Sequence, residues 1–286
     1  MNSQRPSNVP AIDDWSKLLD GKVAVVTGGG ADGIGGAIAV LFAEHGALVE
    51  IVDVDEERAE RNRATIEGAG GAAQTHIVDV TQEADVQRLA TDVLTEHGRI
   101  DVLVNNVGDY RPLVRFDKST PASWQRMYEI NLFHFFLVTR AFLPAMIERG
   151  SGSIVNVHSV EGMRGYPGDP IYGAMKAAVT QFTTSLAVTL GRHGIRVNGI
   201  GPDLTQTPQV DYITGFDDDD ELWRSWAPVG RLGWPEDQAR VALFLASEMS
   251  GYITGHNIPV DGGTKAAGGW FFSPTEHRFV NRPRTL

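Results

Sequence analysis

The stretch KVAVVTGGGADGIGGAIAVLF, residues 22–42, decides the fold. An apolar run of strand character leads through a glycine-rich turn into a helix of small apolar residues. That context gives the glycines meaning. They permit a tight turn and let the backbone approach a diphosphate, and the free N–H groups of the helix start then face the anion. The alternative is a loop that only turns the chain. Against it stands Asp53, which closes the next apolar run LVEIVDV (48–54), eighteen residues after Gly35. A carboxylate at that distance accepts from the adenosine ribose hydroxyls. Like charge between Asp53 and a 2′-phosphate predicts NAD(H) rather than NADP(H), and the turn adds Asp32 rather than an arginine.

The rest of the chain repeats the alternation. THIVDV (75–80), IDVLVNNVG (100–108), SIVNVHS (153–159), IRVNGIGP (195–202) and NIPVDGG (257–263) read as strands. Most are continuous apolar runs, as strands covered on both faces require. Amphipathic segments lie near 35–46, 56–67, 82–97, 121–149, 171–192 and 235–248. This predicts an α/β fold, a doubly wound (Rossmann) sheet of about seven parallel strands with helices on both faces, in one domain over 19–263. Residues 1–18 read as a loosely ordered arm and 264–286 as a tail. Ser119-Thr120-Pro121 marks a helix start, and Pro144 is expected to kink or end the 121–149 helix.

Composition narrows the function. Of the 286 residues 42% are hydrophobic, enough for a core, and the net charge of −11 argues against nucleic acid or an anionic membrane as partner. No run approaches the ~18 apolar residues that span a bilayer. The absence of cysteine removes disulfides and thiolate chemistry and is compatible with a reducing cytoplasm. The histidines show no metal-ligand spacing, so no metal is expected.

In IYGAMKAAVTQF (171–182) a tyrosine precedes a lysine by four residues, so Tyr172 and Lys176 share one helix face. Together with TGGGADGIG, NNVG (105–108), Asn131 in EINLFHFF, Ser159 in IVNVHSVEG, RVNGIGP and YITGHNIPVDGG, in that order, the chain resembles the short-chain dehydrogenase/reductase family from about Leu19 to Gly263. The resemblance implies an NAD-dependent oxidoreductase acting on a secondary alcohol or ketone. An ammonium beside the phenol would lower its pKa and make Tyr172 a proton acceptor or donor. Ser159 would hydrogen-bond the substrate oxygen, Asn131 would hold a water linking Lys176 to solvent, and Lys176 would bind the nicotinamide ribose. Implied cofactor contacts are Gly28, Gly33, Ile34, Gly35, Asp53, Asp79, Val80, Asn106, Gly108, Tyr172, Lys176, Pro202 and Thr207, with Asp79 accepting from the adenine amino group. Individually each residue has a structural reading: Tyr172 in the core, Lys176 in solvent, Ser159 at a strand end, Asn131 bonding backbone. Catalytically silent nucleotide binding and a cofactor-recycling isomerase or dehydratase are the rival functions.

Two departures from the family stand out. Four residues separate Gly28 from Gly33 where the family has three, so either Gly28 or Gly29 takes the first glycine's place. Asp203 follows Pro202 where the family has glycine; it could rim the substrate pocket or be a solvated loop acid. The tyrosine-to-lysine spacing of seven, found in related enoyl reductases, is not met, because Asp169 stands there. Glu161, Met163, Arg164 and Tyr166 are expected to wall the substrate pocket opposite a flap at 207–230 carrying Trp223 and Trp226. The expected substrate is apolar or cyclic: a hydroxysteroid, a terpenoid alcohol or a dihydrodiol. Family members usually form homotetramers through the helices bearing Asn131 and Tyr172 and through the last strand. His158 is expected to play a structural part.

Overall fold

The computed structural model describes residues 12–213, 225–269, 271–273 and 275–280. Seven parallel strands form one sheet: β1 (Val23–Thr27), β2 (Leu48–Asp53), β3 (Ala72–Ile77), β4 (Val102–Asn105), β5 (Gly152–Val157), β6 (Ile195–Pro202) and β7 (Asn257–Val260). Their order is β3-β2-β1-β4-β5-β6-β7, so the winding reverses between β1 and β4. Ligands of such sheets bind at the carboxyl ends of the strands at that reversal.

Helices cover both faces. Ile34–Glu44 (α1) packs with Pro235–Ala246, and the core between them and the sheet contains Ile38, Phe42, Val26 and Ile51. On the other face Val25, Leu103 and Ile154 of the sheet meet Leu89, Phe142 and Met146 from Glu83–His97 and His134–Arg149. All the residues of β1 and β4 are buried, which is why their sequences do not alternate. We number Glu56–Gly68 as α2, Glu83–His97 as α3, Pro121–Tyr128 as α4, His134–Arg149 as α5 and Pro170–Leu190 as α6.

Several expectations need correction. The third strand runs over Ala72–Ile77, three residues earlier than its apolar run suggested. As an edge strand it is half-exposed and pairs with β2 through a polar stretch, while Val78–Val80 leave the sheet toward the cavity. The fourth strand ends at Asn105 and the seventh at Val260, where Gly262 and Gly263 take left-handed φ values. Pro144 does not end its helix, which continues to Arg149. Instead a π-turn, Glu129–Phe133, interrupts the 121–149 stretch between α4 and α5. That stretch is long and apolar enough to cross a membrane, contrary to the sequence reading, and half of its apolar window is buried in the fold. Thr120 caps α4 as expected, its side chain accepting from the Ser123 N–H. Leu19, the first residue of the expected domain, is buried and donates its N–H to the His45 carbonyl. The tail carries a short helix, Thr264–Ala267, and an antiparallel pair, β8 (Phe271–Ser273) with β9 (Arg278–Val280).

Candidate active site

A cavity of about 500 Å³ opens at the carboxyl ends of the strands, reached by β1, β2, β4, β5 and β6. Its first half is the glycine turn. Gly28 has φ +63°, and a Cβ there would come within 2.9 Å of Asn106 Nδ2. Gly28 therefore keeps the first glycine's place; Gly29 does not line the cavity. Asp32, at φ 70°, absorbs the extra residue in the left-handed region that aspartate tolerates. Its carboxylate pairs with Arg61 outside the cavity, so it adds no charge to the site, contrary to expectation. Gly33 caps α1 without any side-chain bond, leaving the first-turn amides free for an anion. Gly33 and Ile34 line the cavity. Gly35 does not: a Cβ there would lie 2.2 Å from Gly28 O, so this glycine lets the helix press against the turn.

Asp53 is buried at the end of β2, where Oδ2 accepts from the Gly30 N–H at 3.0 Å and Oδ1 from the Asp55 N–H at 3.1 Å. It faces the same cavity as Asp79, Val80, Asn106, Gly108, Pro202 and Thr207. Asp79 Oδ1 also holds the Thr81 N–H and hydroxyl. The residues present fit a dinucleotide: a side-chain-free cradle, free helix amides, and a fixed carboxylate at the far end. Arg58 joins this wall, its guanidinium donating to Ala31 O. Nothing in its local sequence set it apart from the other arginines of α2.

The second half holds the reactive group. Asp169 caps α6 by accepting from the N–H groups of Ile171 and Tyr172, which explains an acid at the position seven before Lys176. Tyr172, Ser159 and Lys176 all line the cavity, and the Ser159 hydroxyl beside the phenol pulls its pKa down. Ser159 Oγ also contacts Pro202 O at 3.4 Å and accepts from the Glu161 N–H. The Lys176 ammonium lies 5.7 Å from the Tyr172 ring centre and donates to Val157 O. Burial lowers the Lys176 pKa to about 8. Burial also pushes the Tyr172 phenol above its ordinary 10; Ser159 pulls down, while Tyr166, Glu161 and Asp109 push up. Contrary to the expectation from Lys176, the phenol is raised rather than lowered in the protein alone.

Asn131 sits in the π-turn, fully buried and outside the cavity wall. It clamps Asp109, donating to its carbonyl at 2.7 Å and accepting from its N–H at 3.1 Å. A Cβ on Gly108 would come within 2.7 Å of Lys176 Nζ and 3.1 Å of Asn131 Oδ1. Only glycine lets the three approach. His158 stacks over Gly199 and Gly201 of β6, and burial holds its pKa near 4, in keeping with a structural part.

Glu161 and Tyr166 line the substrate side as expected, with the Tyr166 ring 6.0 Å from Tyr172. Met163 and Arg164 do not line it. Tyr110, Leu113 and Gln209 were missed. Tyr110 packs edge-on to Tyr172 at 6.2 Å and donates to Gln209 O, while Gln209 donates to Gly108 O. These links span about a hundred residues of sequence, beyond any local pattern. Trp223 lies outside the described residues. Asp203 is no solvated acid: its side chain is 7% exposed and lines the cavity.

Comparison with known proteins agrees with this geometry. A family model described as enoyl-(acyl carrier protein) reductase matches residues 29–265. The chain belongs to the short-chain dehydrogenase/reductase family of oxidoreductases. It is 40% identical over 247 residues to the 3-oxoacyl-[acyl-carrier-protein] reductase FabG of Thermotoga maritima, covering 86% of this chain and 98% of that one. It is 39% identical over 247 residues to the 2,5-dichloro-2,5-cyclohexadiene-1,4-diol dehydrogenase LinX of Sphingobium indicum, covering 86% and 96%. Among solved structures, a 7α-hydroxysteroid dehydrogenase complexed with NADH and 7-oxo glycochenodeoxycholic acid superposes with a TM-score of 0.80 at 34% identity, over 88% of this chain and 98% of that one.

Proposed function

We propose that the protein is an NAD(H)-dependent dehydrogenase of secondary alcohols, or reductase of the matching ketones, with an apolar or cyclic substrate. The carrying observation is the convergence of Tyr172, Ser159 and Lys176 in one cavity with the glycine turn and Asp53. Relatives named for a cyclic diol and for a hydroxysteroid support the substrate class.

The turn amides at Gly33–Gly35 would hold the diphosphate, Asp53 the adenosine ribose, and Lys176 the nicotinamide ribose. When bound, the nicotinamide supplies hydride transfer. The chain does the rest. Ser159 donates to the substrate oxygen and fixes it beside the phenol. Tyr172 keeps its proton at neutral pH and so stands ready as an acid toward a carbonyl oxygen. A positive charge added beside it favours the phenolate and turns the same residue into a base. Asn131 holds Asp109, and through it part of the cavity wall.

NAD(H) is favoured because Asp53 is immobilised by two backbone N–H groups and cannot swing away from a 2′-phosphate. Arg58 is committed to Ala31 O. Steady-state absorbance at the NADH band, over a panel of cyclic and steroidal alcohols, tests both points. Turnover with kcat/KM at least about tenfold higher for NAD than for NADP is expected. Equal or better efficiency with NADP overturns the cofactor assignment, and no net reduction of NAD overturns the dehydrogenase. The protein is further proposed to assemble as a homotetramer.

A further inference from the structure

Asp203 stands where the family resemblance calls for glycine, and it is built into the substrate wall. Its Oδ2 accepts from Arg164 at 3.1 Å, from Trp226 Nε1 at 3.3 Å and from the Thr264 hydroxyl at 2.5 Å. All three bonds fall on one oxygen. Among the described residues no hydrogen bond falls on Oδ1, although the side chain is 93% buried and lines the cavity. Oδ1 is not one of the buried atoms without a partner, so it stays accessible from the cavity, and a substrate that shuts water out there must itself supply a donor or leave the oxygen unpaired at a cost.

Its surroundings define the donor. Arg164 reaches both carboxylates at once, donating to Glu161 at 2.7 Å and to Asp203 at 3.1 Å, from behind the wall. The cavity therefore meets two carboxylates while the guanidinium that fixes them stays outside. Two acids against one base leave the wall negative, which repels carboxylates and phosphates. Position sets the distance from the chemistry. Asp203 directly follows Pro202, whose carbonyl contacts Ser159 Oγ, and Glu161 lies two residues beyond Ser159 with its N–H on that same oxygen. The acceptors thus flank the point where the reacting oxygen is held.

Resting on the dehydrogenase reading above, the geometry points to a neutral diol or polyol as the substrate class, with Asp203 accepting a hydrogen bond from a second hydroxyl near the reacting carbon. Glu161 is the supporting acceptor, and Arg164 the positioning residue for both. A site with a buried acceptor discriminates strongly against an analogue that lacks the hydroxyl, because the acceptor is then left unpaired.

Cyclohexane-1,2-diol and cyclohexanol are compared as substrates, with 2-aminocyclohexanol and a hydroxycyclohexanecarboxylate as charged analogues. Binding to the NADH-loaded enzyme, followed by nicotinamide fluorescence, is measured alongside kcat/KM. The expected result is a preference for the diol over cyclohexanol of at least about tenfold in both readouts, with the carboxylate poorest. D203N should reduce that preference to within about threefold. Equal handling of diol and cyclohexanol by the wild-type enzyme overturns the proposal whether or not D203N folds, and so does a preference for the amine. A D203N enzyme that weakens NADH binding but keeps the diol preference assigns Asp203 to the cofactor and also overturns it. Failure of the underlying reading looks different: no NADH binding and no turnover of either alcohol, which removes this proposal with it.

Discussion

Tyr172 and Lys176 have opposite responses to the same burial. Desolvation disfavours whichever form is charged, so the phenol is held up and the amine held down, to about 8. At neutral pH the phenol keeps its proton. Alcohol oxidation needs it gone, so below the phenol's pKa the competent fraction grows tenfold per pH unit. Oxidation should accordingly rise with pH from 6 to 9, with a log-slope approaching +1 where chemistry limits the rate, while ketone reduction stays flat or declines. A pH profile of kcat in both directions checks this. Y172F should lower turnover by about 10³-fold in both directions and flatten the profile, with NADH affinity changed less than about threefold. A Y172F enzyme that keeps its turnover removes the phenol from the reaction. The pair itself was legible in the sequence because four residues on a helix is a local relation. Its electrostatics were not: they depend on how much of the sheet and of Tyr166, Glu161 and Asp109 surrounds the phenol. Burial also decided Asp203, which in the sequence could be either a solvated acid or a pocket rim.

At the scale of elements, β2, β3 and α3 share one buried carboxylate. Glu50, 1% exposed in the middle of β2, takes His76 of β3 at 2.5 Å and His97 of α3 at 2.7 Å. Burial alone would raise its pKa, but the two imidazoles more than offset that and leave it lowered. A depressed folded-state pKa contributes stability that is present above the ordinary glutamate value and is lost as pH falls through the folded one. E50Q should therefore be less stable than the wild type at pH 7, by about 2 kcal/mol for the charge-assisted bonds removed. The gap should narrow below the ordinary carboxylate range near 4.3. Urea midpoints at pH 7 and at pH 4 measure it; a gap that is independent of pH would deny the carboxylate its part. The same edge shows where the sequence misled. β3 was placed on its apolar run, yet the strand that pairs is the polar one, because an edge strand is covered on fewer sides and Glu50 draws His76 into register with Val52. Pro144 and the π-turn are a second case. The proline is accommodated within α5, while the irregular turn falls at Glu129–Phe133, where no residue breaks helices and where Asn131 is needed to clamp Asp109.

For the whole molecule, the parallel sheet of about seven strands and the alternation that produces it were readable from the apolar runs, since both faces of each central strand must be covered, whereas the strand order came only with the structure. The surfaces left over are less symmetric. A third, smaller apolar cluster lies apart from the two cores, on the end of α4, the π-turn, α5 and α6: Leu132, Phe135 and Val179 are buried, while Tyr128, Phe136, Met175, Ala178 and Phe182 are only partly so. Phe136 and Phe182 pack edge-on at 4.9 Å across the two helices, and Val188, further along α6, is 82% exposed. An apolar face that one chain half-covers gains by meeting its own copy across a twofold axis. The proposed homotetramer places this face in one of its interfaces and β7, the last strand of the sheet, five residues after the fully exposed Tyr252, in another. Sedimentation equilibrium should then give four times the 31.1 kDa of the chain. Replacing Phe182 with aspartate should put a charge into the α5–α6 face and break that interface, leaving dimers held by the other. A wild-type protein that sediments as a monomer at micromolar concentration would refute the assembly, and a tetramer that survives F182D would move its interface off these helices.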